Sequence, residues 1–151
     1  MLCTTYFGVR IGDLLSIEGR AIHKAFQGRG LGTTALYEVL ANTDIFAAAS
    51  VTRNPAVPKL MSKAFRVVSP DLGAPDPLHA FHSSPLVYDV TDFYAQHIGA
   101  NPAETPLVRG RYGEGLYGLD DPGQGMTALP EVQLNPGDGI IMVAIERRED
   151  I

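Results

Sequence analysis

Three glycines, Gly28, Gly30 and Gly32, fall within five residues of the stretch AIHKAFQGRGLGTTALYEVL, residues 21–40. An apolar run leads into them, and Leu31, Ala35, Leu36, Val39 and Leu40 leave them at helical spacing. IFAAASV, residues 45–51, then forms a short apolar run between polar stretches. That is the pattern of a buried strand lying parallel to the strand before the loop. Residues 14–51 therefore read as a β-loop-α-β unit. Two parallel strands joined by a crossover helix require a sheet with that helix packed on one face, so the chain is an α/β protein with a mixed sheet.

The flanking sequence supplies the rest of the sheet. TTYFGVRI, residues 4–11, is β-branched and aromatic; Gly12 and Asp13 give a turn, and residues 14–25 read as a second strand, so the pair is a hairpin. Gly19 inside that strand points to a bulge or a close backbone approach. Asn54 can cap a second helix with Pro55 at its first position, and Val57, Leu60, Met61, Ala64 and Phe65 form its apolar face. Pro58 cannot donate the bond its position would make to the Asn54 carbonyl, which predicts a distorted first turn or a start one residue later. FRVVS, residues 65–69, reads as a strand, and residues 70–84 as proline-rich and irregular. Residues 90–98 have helical character with Asp89 or Thr91 as cap. LVRGRYGEGLYG, residues 107–118, reads as strand or turn with an unusual backbone. GIIMVAIER, residues 139–147, follows the turn NPGDG and is the clearest strand. No internal repeat or domain boundary is visible, and 151 residues suit a single domain.

Composition narrows the function. The net charge of −5 argues against a protein held to nucleic acid by bulk electrostatics. The single cysteine, Cys3, forbids an intrachain disulfide. The four histidines are scattered, and only His79 and His82 come close, in a proline- and serine-rich loop. No zinc spacing is present, so no metal is expected. No apolar run approaches the ~18 residues of a membrane span, and the N-terminus has no long apolar leader region; a cytoplasmic protein without a membrane partner is the expectation.

Glycine loops of this kind usually hold phosphates. A Walker A loop requires a lysine after its last glycine, and Gly32 is followed by Thr33. A dinucleotide loop requires a third glycine where Thr33 stands, at the point where helix must press on sheet. The pattern Q/R-x-x-G-x-G/A fits without adjustment through Gln27, Gly30 and Gly32. Backbone N–H groups of such a loop and the helix N-terminus behind it favour a pyrophosphate, and Thr33 adds a hydroxyl.

In this the stretch resembles the acyl-CoA loop of the GNAT superfamily of N-acetyltransferases. VTRNPAVPKLMSKAF, residues 51–65, resembles the family's next strand-to-helix segment, in which an asparagine opens the helix. The resemblance covers residues 14–69 well and the C-terminal extension, residues 70–151, more loosely. It implies an α/β (α+β) fold with a mixed, largely antiparallel sheet. It also implies acetyl-CoA as cosubstrate and transfer of the acetyl group to the primary amine of a small molecule or protein by direct attack on the thioester. The pyrophosphate would sit on amides of Gly28, Arg29, Gly30, Leu31, Gly32 and Thr33. The pantetheine arm would pair with Ile22 and His23. A backbone N–H near the bulge, around Ala21 or Ile22, would polarise the thioester carbonyl, and Asn54 matches a position that contacts the CoA arm.

On the chemical step the resemblance is incomplete. Glu18, on the strand before the loop and on the same face as Ser16 by alternation, is the candidate base. The family's usual acid is a tyrosine in the second helix, and that position here is Met61; Tyr112 or Tyr117 from the C-terminal segment could replace it, or the thiolate leaves unassisted. Arg109 and Arg111 are candidates for an anionic substrate or a CoA phosphate. Only thirteen residues precede Leu14, where family members carry one or two strands and two helices that wall the acceptor site. That wall would then be absent, come from a partner chain completing the sheet or a second copy, or be built from residues 70–137. These departures also leave open a CoA-binding module or subunit without transfer activity.

Overall fold

The computed structural model describes residues 4–22, 28–71, 73–77, 81, 84–112, 134–135 and 137–151; for residues 4–9 and 18–22 the backbone is described. Strands β1 (Thr4–Ile11) and β2 (Leu14–Ile22) form the expected hairpin. Helix α1 (Leu31–Ala41) crosses to β3 (Ala47–Thr52), which is parallel to β2. Helix α2 (Ala56–Ala64) runs directly into β4 (Phe65–Ser69), and α3 (Pro85–Ile98) precedes a short 3-10 turn (Pro102–Glu104) and β5 (Leu107–Val108). Strand β6 (Gly139–Arg147) closes the chain. The sheet order is β1-β2-β3-β6-β4, with β5 also on β6, and every pair except β2–β3 is antiparallel. The fold is a mixed α+β sandwich with a largely antiparallel six-stranded sheet.

Alternation along β6 divides the core. Ile140, Met142 and Ala144 pack under α1 and α2 with Leu36, Leu40, Leu60 and Met61; Ile141, Val143 and Ile145 pack under α3 with Val87, Val90 and Tyr94. Ala47, Ala48 and Ala49 of β3 are fully buried between these layers. Alanine is a poor strand former, and pairing on both sides overrides that preference. Arg147 ties β6 to the α1–β3 loop by donating to the Thr43 carbonyl at 2.9 Å.

Pro55, expected at the first helical position, is the N-cap of α2, and Asn54, expected as the cap, stands one residue before it: its Oδ1 accepts from the Ala56 N–H at 2.9 Å, and its carbonyl accepts from the Val57 N–H at 3.0 Å. The helix starts at Ala56, one residue later than Pro55, and the Asn54 carbonyl that Pro58 cannot serve takes the Val57 N–H instead. The third helix corrects the sequence reading. It begins at Pro85, not near residue 90, and Asp89 and Thr91 lie inside it; the Thr91 hydroxyl donates to the Val87 carbonyl at 2.8 Å. Ser84 precedes Pro85, whose fixed φ suits the first helical position. The second strand is described to Ile22; residues 23–25 lie outside the described residues. Among the described residues no helix is long and apolar enough to cross a membrane.

Met61 is fully buried between α2 and the sheet. A tyrosine there would overpack the site and strand a hydroxyl. Met61→Tyr should cost about 1–3 kcal/mol in urea unfolding; unchanged stability would mean that the α2 layer is looser than its burial indicates.

Candidate functional site

The parallel pair β2–β3 is short. Its rungs are Leu14–Ala47, Leu15–Ala48 and Ser16–Ala49, and there the pairing stops. Beyond it β2 runs on to Ile22 with β1 as its partner, and β3 runs on to Thr52 with β6 as its partner. The two strands therefore part into a fork that opens toward their carboxyl ends. At its base β2 carries a bulge: Phe7 pairs with Gly19 and Gly8 with Ile17, so Glu18 is the extra residue. The bulge that Gly19 announced thus lies beside it, three residues before the Ala21 amide singled out by resemblance. Bulges of this kind turn a strand and release it from pairing.

Two side-chain hydroxyls occupy the base of the fork. Ser50 Oγ donates to the Ile17 carbonyl of β2 at 2.7 Å and lies 3.4 Å from the Val51 carbonyl of β3. The Tyr112 hydroxyl donates to that Val51 carbonyl at 2.6 Å. A hydroxyl pair, Ser16 Oγ with the Tyr94 hydroxyl at 3.2 Å, is buried on the α3 face at the last rung. Buried hydroxyls are costly unless bonded, and each of these is bonded at or beside the point where the ladder ends.

A clasp on the β6 side holds Tyr112 in place. Asp138, buried in the turn before β6, accepts from Arg109 Nη1 at 2.6 Å, from the Gly110 N–H at 2.9 Å and from the Asn135 N–H at 2.8 Å. The Tyr112 N–H donates to the Gly137 carbonyl at 2.9 Å. The buried Arg53, just past β3, donates from Nη1 to the Asn135 carbonyl and completes the link between the end of β3 and this turn. Gly139 leaves room for the tyrosine: a Cβ there would lie 2.5 Å from Val51 Cγ1 and 3.2 Å from Tyr112 Cε2. Burial alone would raise the Asp138 pKa, but the Gly110 and Asn135 amides and the Arg109 guanidinium outweigh it and hold the carboxyl below its ordinary value.

The glycine loop stands at the same end of the sheet, because α1 departs from the carboxyl end of β2. Gly28 and Gly30 adopt φ of 78° and 75°, a left-handed backbone that side chains with a Cβ resist. Gly28, Arg29 and Gly30 are exposed. The first helical bond runs from the Thr34 N–H to the Gly30 carbonyl at 3.0 Å, so Leu31, Gly32 and Thr33 carry the leading amides of α1. Lys63 reaches across from α2 and donates to Thr33 Oγ1 at 3.2 Å, while the Tyr37 hydroxyl donates to the Lys63 carbonyl at 3.0 Å. This adds a cation beside the first turn of α1 that sequence spacing did not reveal.

Of the candidate residues, Gly28, Arg29, Gly30, Leu31, Gly32 and Thr33 are brought together in the loop and first turn. Tyr112 joins the fork at β3, and Asn54 accepts from the Ala56 N–H between the end of β3 and α2. Arg109 is engaged by Asp138 with its side chain 42 % exposed, and Arg111 is exposed next to it. Glu18, Ala21 and Ile22 are described for their backbone alone; His23, Gln27 and Tyr117 lie outside the described residues. Ser50, Lys63, Tyr94 and Asp138 escaped the sequence reading, and Ser16 entered it only as a face-mate of Glu18. The two serines in otherwise apolar strand segments were the one visible signal. Among the described residues no group of His, Cys, Asp and Glu side chains could hold a metal ion. Comparison with protein-family models, curated proteins and solved structures finds no match to this chain.

The clasp has a measurable signature. Because folding depresses the Asp138 pKa, its contribution is complete above the unfolded value near ~3.9 and is lost as pH falls through the lower folded value. Asp138→Ala should lower stability by about 2–3 kcal/mol at neutral pH, and the deficit should shrink below pH ~4, as read from urea midpoints. An equal deficit at every pH would show that the carboxylate charge plays no part.

Proposed function

We propose that the chain binds an acyl-CoA, with acetyl-CoA as the natural first test, and transfers its acyl group to a primary amine. The observation that carries this reading is the fork: a parallel strand pair that parts after three rungs, beside a glycine loop at the same carboxyl ends. The freed edge of β2 suits an extended arm that adds as a strand, and the leading amides of α1 suit a pyrophosphate. Arg29 and Lys63 lie on the loop and beside the first turn of α1, where they supply complementary charge. The resemblance of residues 14–69 to GNAT acetyltransferases points to the same ligand.

The chemistry follows from the groups at the fork. A neutral amine attacks the thioester carbonyl, the N–C bond forms and the C–S bond breaks. Glu18, at the bulge, is the proposed base that takes the proton from the amine. Tyr112, whose hydroxyl already donates to Val51, is the proposed acid that returns a proton to the departing thiolate. Backbone N–H groups of β2 on the freed edge stabilise the oxyanion. Helix α3 covers one face of the sheet up to the base of the fork through the Tyr94–Ser16 contact and is the proposed acceptor-side wall. Arg111, exposed and next to Tyr112 in sequence, favours an acceptor carrying an anionic group, with Arg109, held by Asp138 and 42 % exposed, close by in sequence. One observation favours a binding module without transfer: the helix position that would hold the usual acid is Met61, sealed in the core.

Isothermal calorimetry with acetyl-CoA should show binding. Gly30→Val should weaken it at least tenfold, because a β-branched residue resists φ near 75°. No heat of binding from a folded sample at millimolar ligand would refute the proposal. If binding is seen, thiol release in the presence of an amine panel separates transfer from binding. Tyr112→Phe should then lower kcat about 100-fold or more with little change in KM, and an unchanged kcat would remove Tyr112 from the chemistry.

A further inference from the structure

We infer that Ser50 is the wedge that opens the fork, so that its hydroxyl positions the binding edge rather than filling a gap in the core. Ser16–Ala49 is the last rung of the parallel ladder, and Ile17–Ser50 would be the next. In a continued parallel ladder the Ile17 carbonyl would accept the N–H of Val51, the residue after its partner. It accepts Ser50 Oγ instead, at 2.7 Å. A side-chain hydroxyl stands between the strands where a backbone amide would otherwise close them, and the backbone of β3 is held off by the length of the Ser50 side chain. The same oxygen is 3.4 Å from the Val51 carbonyl, which Tyr112 caps. Both carbonyls at the base are thus satisfied by hydroxyls, and neither strand needs the other. Strand β3 can afford to part because β6 pairs with it from Ala48 through Thr52. Ser50 is only 3 % exposed, among apolar neighbours, where a serine without such a bond would be disfavoured.

An alanine at this position leaves the Ile17 carbonyl without its partner in a buried site. The remedy within reach is the Val51 N–H, and taking it adds a rung and narrows the fork. A threonine keeps the hydroxyl and keeps the fork. Amide hydrogen exchange measures this without any ligand. In Ser50→Ala, the Val51 amide should exchange at least tenfold more slowly than in the wild type, and in Ser50→Thr at the wild-type rate. Should the alanine variant fail to fold, Ser50→Cys, close in shape and a weak donor, is read in the same way. Unchanged or faster exchange at Val51 in the alanine or cysteine variant overturns the wedge.

The consequence for binding rests on the acyl-CoA reading. With acetyl-CoA as the probe in calorimetry, Ser50→Ala should bind at least tenfold more weakly than the wild type and Ser50→Thr within threefold of it. Equal affinity of all three would overturn the positioning role. A wild type that does not bind acetyl-CoA would defeat the acyl-CoA reading alone, because the exchange result stands independently of it.

Discussion

Strand β3 has two neighbours and keeps only one of them. It pairs with β6 for five residues, from Ala48 to Thr52, but with β2 for three, from Ala47 to Ala49. The hydrogen bonds that hold β3 to β6 let it leave β2, and the Ser50 hydroxyl on the Ile17 carbonyl stands where the two strands part. The fork, the capped carbonyls at its base and the approach of Tyr112 all depend on that unequal allegiance. The bulge at Glu18 is the matching adjustment on the other strand, turning β2 at the residue where its partner leaves.

An open seam in the middle of a sheet has to be kept from closing. Backbone groups left unpaired in an interior are expensive, so the seam survives only where other partners are provided. Here they come from far apart in the chain: Ser50 lies 33 residues from Ile17, and Tyr112 lies 61 residues from Val51. Tyr112 in turn depends on the buried Asp138, which gathers the Arg109, Gly110 and Asn135 donors into one turn cluster. The C-terminal segment thus supports the site on the β3 side, and helix α1 with Lys63 supports it on the loop side.

Much of the scaffold was legible in the sequence. Strands β1, β4 and β6 have the bounds that their β-branched runs suggested, and α1 begins where the periodic leucines begin. The start of α2 at Ala56, one residue after Pro55, also followed from Pro58, which lacks the N–H for the Asn54 carbonyl. The start of α3 was misread because Asp89 and Thr91 look like caps, whereas the Thr91 hydroxyl turns back to the Val87 carbonyl inside the helix. The fork itself was not legible. Nothing local in IEGRAI or ASVT reveals that these strands stop pairing, because strand separation is a property of partners distant in sequence. The glycine loop was legible for the opposite reason: a left-handed backbone leaves its mark in the residues that adopt it.

The most direct test of an acyl-CoA cleft at this fork is a titration of the 15N-labelled chain with CoA, followed through backbone amide chemical shifts. If the fork and loop form one site, the largest changes fall on Gly28 to Thr33, on β2 from Ile17 to Ile22 and on Ser50 to Thr52, and all saturate with one affinity. Saturable changes confined to α3, β4 or the outer side of β1, with the loop and the fork silent, would contradict it.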